Sequence, residues 1–196
     1  LAAVYLVEYG RGSLARLVSF FVDVMTGLPS IVAGLFILAF WVLVLRRGFS
    51  GFAGALALAI LMLPVVVRSA EEMLRLVPAE LREASFALGI PRWKTIVRVV
   101  MPTALPGIIT GIMLAVARVI GETAPLLLTV FGAASINPNP LAGPQSALPL
   151  FVFTEAGKPN EAAIDRAWAG ALTLILLVMV LNLAARVLAA RRRVRV

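Results

Sequence analysis

A chain of 196 residues that is 61% hydrophobic, only 14% charged and of mean hydropathy +1.00 is not an ordinary soluble domain; those run nearer ~45–50% apolar and ~25% charged. The net charge is +8, with no cysteine and no histidine. That composition excludes a disulfide framework, a Cys/His zinc site, a cysteine nucleophile and a His-dependent triad, and neither a metal nor another cofactor is expected. In so apolar a chain the positive charge reads as loop charge that orients membrane spans, not as a nucleic-acid footprint.

Residues 1–7 are apolar and are closed by Glu8. They read as the tail of a helix whose beginning is missing, since the chain starts at Leu1 and no signal-peptide pattern follows. Residues 11–27 are apolar but broken by Arg16 and Asp23, which predicts an interfacial amphipathic helix. About 20 mostly apolar residues cross a bilayer core as a helix. Four stretches meet that need: 28–45, stopped by Arg46 and Arg47; 51–67, stopped by Arg68; 105–131; and 168–187, followed by Arg191, Arg192, Arg193 and Arg195. There is no internal repeat and no low-complexity linker. The prediction is one all-α transmembrane domain over 1–196, a polytopic helix bundle solvated by the lipid bilayer.

Lysines and arginines in the flanks set the orientation. With 68–104 in the cytoplasm, thirteen cations lie on the cytoplasmic side and four outside: Arg46, Arg47, Lys158 and Arg166. Only the Arg46–Arg47 pair resists this choice. The long segment 71–104 and the C-terminal tail are then cytoplasmic.

Residues 71–104 exceed an ordinary connector, and long connections tend to be functional. The spacing predicts a helix from Arg75 to Leu88 with Pro78 near its start, a break at Gly89, and a second helix from Pro91 to about Val100, before Pro102. Composition alone is equally served by a surface helix pair that only packs on neighbouring spans.

Arg118 and Glu122 fall within 105–131. Their i, i+4 spacing places them on one face of a continuous helix, with Arg118 about 20 Å into the span at ~1.5 Å per residue. An arginine at that depth costs at least about 2.5–3.5 kcal/mol, and such groups face a bundle interior or a polar pathway. Gly121 and Pro125 would permit close packing or a kink beside them. Two readings stand together. One is an ion pair that holds spans together. The other is a pathway group, with the Arg118 fork of donors suited to a tetrahedral oxyanion and Glu122 as its tuning counter-charge.

Glu83-Ala84-Ser85, then Gly89, Val99 and Met101-Pro102, resembles the EAA loop of bacterial ABC importer permeases. That pattern is Glu-Ala-Ala, three residues, Gly, nine residues, Ile, one residue, Leu-Pro. Glu83, Ala84, Gly89 and Pro102 match outright; Ser85, Val99 and Met101 are substitutions of similar size or character. The resemblance implies a type I importer permease whose loop is a coupling helix docked in a cleft of an ATP-binding subunit. Gly89 would allow the tight turn. Leu88, Ile90 and Trp93 would form the apolar knob, and Glu83 and Arg92 the polar rim. Trp93 as a headgroup-region anchor is the competing assignment.

Further stretches are similar to the PstA-type permeases of phosphate ABC importers: Tyr5-Leu6-Val7-Glu8-Tyr9, Leu28 through Phe36, Arg118 through Leu126 with its Gly-Glu-Thr-Ala-Pro-Leu run, Ala167-Trp168-Ala169 and Asn182-Leu183 with the basic tail. Such permeases have six spans, so the first and most of the second would be absent here. The resemblance implies phosphate translocation across the bacterial inner membrane, with Arg118, Glu122 and Thr123 on the pathway. Glu83, Ala84, Gly89, Ile90 and Trp93 would meet the ATPase. It implies a PstC-like permease partner, two PstB-like ATP-binding subunits and a PstS-like phosphate-binding protein outside, near segment 134–166. A stiff loop with no substrate contact is the simpler assignment for Asn137-Pro138-Asn139-Pro140 in that segment. No Gly-x4-Gly-Lys-Ser/Thr pattern occurs, so ATP hydrolysis belongs to a partner and the chain is not itself an enzyme. Alternatives are a permease for sulfate or molybdate, or a membrane assembly subunit without a pathway. An intramembrane lipid enzyme is disfavoured: Glu122 has no second carboxylate near it in sequence, and Lys94 and Lys158 fall in loops.

Overall fold

The computed structural model describes residues 1–193. Helices follow in the order α1 (Ala2–Val4), α2 (Ser13–Gly27), α3 (Ser30–Ile37), α4 (Gly51–Arg75), α5 (Ala79–Ala87), α6 (Arg92–Thr95), α7 (Met101–Ile120), α8 (Ala124–Thr129), α9 (Leu148–Ala156) and α10 (Glu161–Arg193). Wider π turns extend three of them, at Tyr5–Tyr9, Leu38–Val44 and Ile96–Val100. No strand occurs among the described residues, where one isolated bridge joins Phe131 to Gln145.

Among the described residues, three helices are long and apolar enough to cross a bilayer: Gly51–Arg75, Arg92–Ile120 and Glu161–Ala184. Ser13–Gly27 and Ser30–Val44 add a fourth if they count as one interrupted span. The boundaries differ from the apolar windows of the sequence. Arg68 ends the apolar run at 67 but not the helix, which continues to Arg75. The window at 105–131 becomes a single helix over Arg92–Ile120, followed by a break. Pro102 does not stop that helix. A proline lacks the N–H and its ring crowds the carbonyl four residues back; the turn just before it widens, and the Met101 N–H donates to the Ile96 carbonyl five residues back.

The chain forms two compact units. In the first (residues 1–26, 63–115 and the end of α10), Ala3, Leu74, Val77, Val100 and Ala104 form a buried core flanked by Val4, Val7, Met73 and Met101. Gly107, Gly111 and Ala115 recur every fourth residue of α7. A Cβ at Gly111 would fall on the Ser69 hydroxyl, and one at Gly107 would fall 2.3 Å from the Met73 sulfur. Small residues at this spacing let membrane helices approach closely, here α7 against α4.

In the second unit (residues 27–62 and 116–181), Ile37, Ala53 and Ala57 are buried with Trp41, Leu56 and Ile60 around them. The short α8 docks on α3, where Gly34 lies against the Pro125 backbone. Gly54 of α4 receives Leu126 and Val130. Between α8 and α9, Asn137 and Gln145 bond back to loop carbonyls and order that segment: Asn137 Nδ2 donates to Ala142 at 2.7 Å, and Gln145 Nε2 to Asn137 at 2.9 Å. At the α9–α10 turn, the buried Glu155 pairs with Lys158 and, at 2.8 Å, with Arg166.

Candidate functional site

Two places gather the residues that the sequence singled out. The first is the helix–turn–helix between Ala79 and Thr95. Pro78 precedes α5, and the helix closes at Gly89 with φ +74°. The Gly89 N–H donates to the Phe86 carbonyl at 2.9 Å and the Ile90 N–H to the Ser85 carbonyl at 3.2 Å. This paired closure needs a left-handed residue at its centre, which is why glycine stands there. Pro91 then starts α6, with the Lys94 N–H bonded to its carbonyl at 2.9 Å. Ser85 and Thr95, both buried, share a hydroxyl–hydroxyl bond of 2.8 Å that ties α5 to α6.

The outward side of this element is apolar and open. Leu88 is 80% exposed and Trp93 59%, with Phe86 and Leu81 exposed beside them. Glu83, Ala84 and Gly89 are exposed as well, while Ile90 is half-buried. Lys94 lies 5.4 Å from the centre of the Trp93 ring. Arg92 has another role from the one its rim position predicts: its guanidinium donates to the Glu8 backbone carbonyl and lies 5.0 Å from the Tyr9 ring centre. Arg82, which the sequence did not single out, bonds the Glu8 carboxylate, the α4 carbonyl of Leu74 and the carbonyl of Val77 just beyond α4.

The second place is the break after α7. Arg118 is exposed in the last turn of α7, where a cation complements the helix dipole. Gly121 and Glu122 close that helix with short-range bonds, to the Arg118 carbonyl at 3.4 Å and the Val119 carbonyl at 3.1 Å. Glu122 is half-buried, and Thr123 precedes α8 with its carbonyl bonded by the Leu127 N–H at 3.1 Å. Arg118 and Glu122 are therefore not on one face of a continuous helix, because the helix stops at Ile120. No ion pair joins them among the described residues. Arg118 stands twenty residues beyond Arg98 on the helix Arg92–Ile120.

Sequence reasoning missed Glu8, Arg82, Phe86 and Thr95. Glu8 stood as the charge ending an apolar run and as part of a stretch resembling the permeases, with no partner assigned, and Arg82 is 74 positions away. Phe86 carried a usable signal, being two residues before Leu88 in the same turn of the loop.

Three bilayer-length apolar helices among the described residues, two of them joined by a helix–turn–helix, define a polytopic membrane protein. Residues 1–194 match the family described as binding-protein-dependent transport system inner membrane component, and the chain belongs to that family. It is 56% identical over 196 residues to "Phosphate transport system permease protein PstA 1" of Mycobacterium tuberculosis (strain ATCC 25618 / H37Rv), a match over 98% of this chain and 64% of the relative. It is 45% identical to "Phosphate transport system permease protein PstA" of Xylella fastidiosa (strain 9a5c), over 98% of this chain and 67% of that one. The chain thus spans just under two thirds of the length of its mycobacterial relatives. Its fold is similar to that of the MetNI methionine ABC transporter in inward-facing conformations, with a TM-score of 0.78 at 20% identity over 97% of this chain and 84% of the other.

Proposed function

We propose that this chain is the transmembrane permease part of an ATP-driven importer of inorganic phosphate. The observation that carries the reading is the 56% identity to a phosphate permease along 98% of the chain. In this reading the two compact units belong to one permease domain. Segment 71–104 and the C-terminus face the cytoplasm, and the chain works with ATP-binding subunits, a second permease subunit and an external phosphate-binding protein. Leu88, Trp93 and Phe86 enter a cleft of the ATP-binding subunit, with Ile90 beneath them and Glu83 and Ala84 on the same open side. Gly89 supplies the turn that presents them. Arg118, Glu122 and Thr123 line the pathway. The exposed guanidinium at a helix end supports that role, since Arg118 is not neutralised by Glu122 within this chain.

Phosphate uptake by the full-length permease in a deletion strain tests the reading. Arg118→Gln is expected to lower uptake at least ~tenfold, as loss of a charge-assisted donor to an oxyanion is worth about 1.5–3 kcal/mol. Phosphate, and not sulfate or molybdate, should compete with labelled phosphate. Uptake unchanged in both Arg118→Gln and Glu122→Gln removes the pathway role. Effective competition by sulfate or molybdate moves the substrate to another oxyanion.

A further inference from the structure

The segment Tyr5–Tyr9 is a π turn, a widened geometry that often marks functional positions. Within it the Glu8 side chain is only 7% exposed, and one oxygen accepts two bonds from Arg82, at 3.2 Å from Nε and 3.1 Å from Nη2. The same guanidinium donates to the Leu74 carbonyl at 2.9 Å and the Val77 carbonyl at 2.6 Å, where α4 gives way to α5. Arg92, the first residue of α6, donates to the backbone carbonyl of Glu8 and covers the Tyr9 ring. Glu8 thus ties the end of segment 1–9 to the middle of α5 through its carboxylate and to the start of α6 through its carbonyl, and Arg82 carries the link on to the end of α4.

The apolar core does not make these links. Ala3, Leu74, Val77 and Val100 join segment 1–9, the end of α4 and the start of the helix beyond α6, but the core takes no residue from α5 or α6. A buried ion pair generally adds little stability over an apolar replacement of equal volume, and its best-attested use is to fix register. An apolar contact is non-directional, whereas an arginine fork on a carboxylate fixes direction and distance together.

We propose that Glu8, held by Arg82 and Arg92, is a positioning residue that makes the helix–turn–helix 79–95 move as one body with the helix ending at Tyr9 and with the end of α4. Displacement of Leu88 and Trp93 by a partner is then passed to two membrane segments at once. Without the carboxylate's charge, Arg82 stays on the Leu74 and Val77 carbonyls, but segment 1–9 is held to the loop only by the Arg92 bond to the Glu8 carbonyl, and loop motion reaches the helix ending at Tyr9 incompletely. The inference rests on the proposed docking of this loop on an ATP-binding subunit.

The test uses the full-length permease assembled with its ATP-binding subunits, partner permease and binding protein in lipid vesicles, with inorganic phosphate as the probe. Glu8→Gln keeps the side-chain shape and removes the charge. The expected result is copurification of all subunits, ATP hydrolysis within about twofold of the parent, and phosphate moved per ATP lowered roughly tenfold, within the range by which coupling residues act. A ratio equal to the parent's overturns the inference. If Glu8→Gln does not assemble, Arg82→Lys carries the test: it keeps the charge opposite Glu8 but lacks the planar fork, and a normal ratio there reduces the cluster to a folding staple and overturns the inference. Leu88→Ala and Trp93→Ala separate this from the docking itself. If they leave uptake and ATP hydrolysis intact, the docking reading fails; if they impair both and Glu8→Gln impairs neither, only the inference fails.

Discussion

Replacing Gly34 by alanine adds one methyl group at the closest approach of α3 to α8. The added Cβ would stand 2.7 Å from the Pro125 Cα, 3.2 Å from the Pro125 carbonyl oxygen and 3.3 Å from a Leu128 methyl. Carbon atoms rest at ~3.5–4.0 Å, so α8 must retreat by about 1 Å or strain in place. The nearest atoms are backbone, which no rotamer change can remove. Overpacking of this kind costs ~1–3 kcal/mol. Gly27 provides the matched control, because a Cβ there meets nothing within 4 Å and the residue closes α2. Both variants reduce backbone freedom in the unfolded chain to the same degree, a gain of about 0.4–1 kcal/mol where the native conformation allows alanine. The difference between them isolates the collision. At ~2–4 °C per kcal/mol for a chain of this size, Gly34→Ala should melt about 2–12 °C below Gly27→Ala in detergent. Because α8 follows Thr123 directly, phosphate uptake should also fall in Gly34→Ala and not in Gly27→Ala. Equal melting temperatures for the two variants refute the reasoning.

Two further outcomes follow from bonds at the loop and at the α9–α10 turn. Thr95→Val leaves the buried Ser85 hydroxyl without its partner, at about 1–3 kcal/mol. Ser85→Ala costs less, because the Thr95 hydroxyl also lies 3.5 Å from the Pro91 carbonyl; amide exchange across 79–95 should show the double variant less perturbed than the sum of the singles, and strict additivity would show that no bond couples them. Lys158 and then Arg166 hold the Glu155 carboxyl below its ordinary value of 4.5. A carboxylate depressed on folding contributes stability above its unfolded pKa and loses it as pH falls through the folded one. The melting temperature should therefore drop as pH falls below about 4.5, and Glu155→Gln should flatten that drop; an identical acid profile in the variant counts against the pairing.

Composition made the membrane class and the rough place of each span readable, because a bilayer demands an apolar run of known length. It did not give helix ends. Apolarity stops at Arg68, but backbone hydrogen bonding does not, and α4 carries Arg68, Glu71 and Arg75 for two more turns in mutual contact. Pro102 read as a terminator because an isolated proline removes one bond and crowds another; one π turn absorbs both effects, and no local signal announces it. The loop was legible through spacing, since Gly89 and Pro91 are turn chemistry in any context. Its fastening was not: the bonds from Arg82 and Arg92 to Glu8 cross 74 and 84 positions. Ser85 shows the same limit at short range. Against the Ala of the loop pattern it reads as a tolerated small residue, whereas the fold gives its hydroxyl a buried partner.

The helix break alters the argument about Arg118 more than any single distance. If 105–131 were one helix, Arg118 and Glu122 would sit one turn apart and could hide each other's charge in lipid, so a purely structural pair would suffice. The chain instead ends α7 at Ile120, and both Arg118 and Gly121 are exposed. Irregular backbone at membrane depth is tolerated only where protein covers it or where it borders a polar cavity. The half-buried Glu122 and the buried Pro125 meet the first condition on one side of the break. Arg118 and Gly121 meet it on neither side within this chain, so in a membrane they need a partner surface or an aqueous path. Arg118 is exposed in the last turn of α7, beside the break. On the proposed pathway reading, an exposed guanidinium at a helix end suits a group that first meets an entering oxyanion better than one that gates its passage. The distinction is measurable: Arg118→Lys should raise the phosphate concentration for half-maximal uptake with little change in the maximal rate, whereas a central gating role would lower the maximal rate.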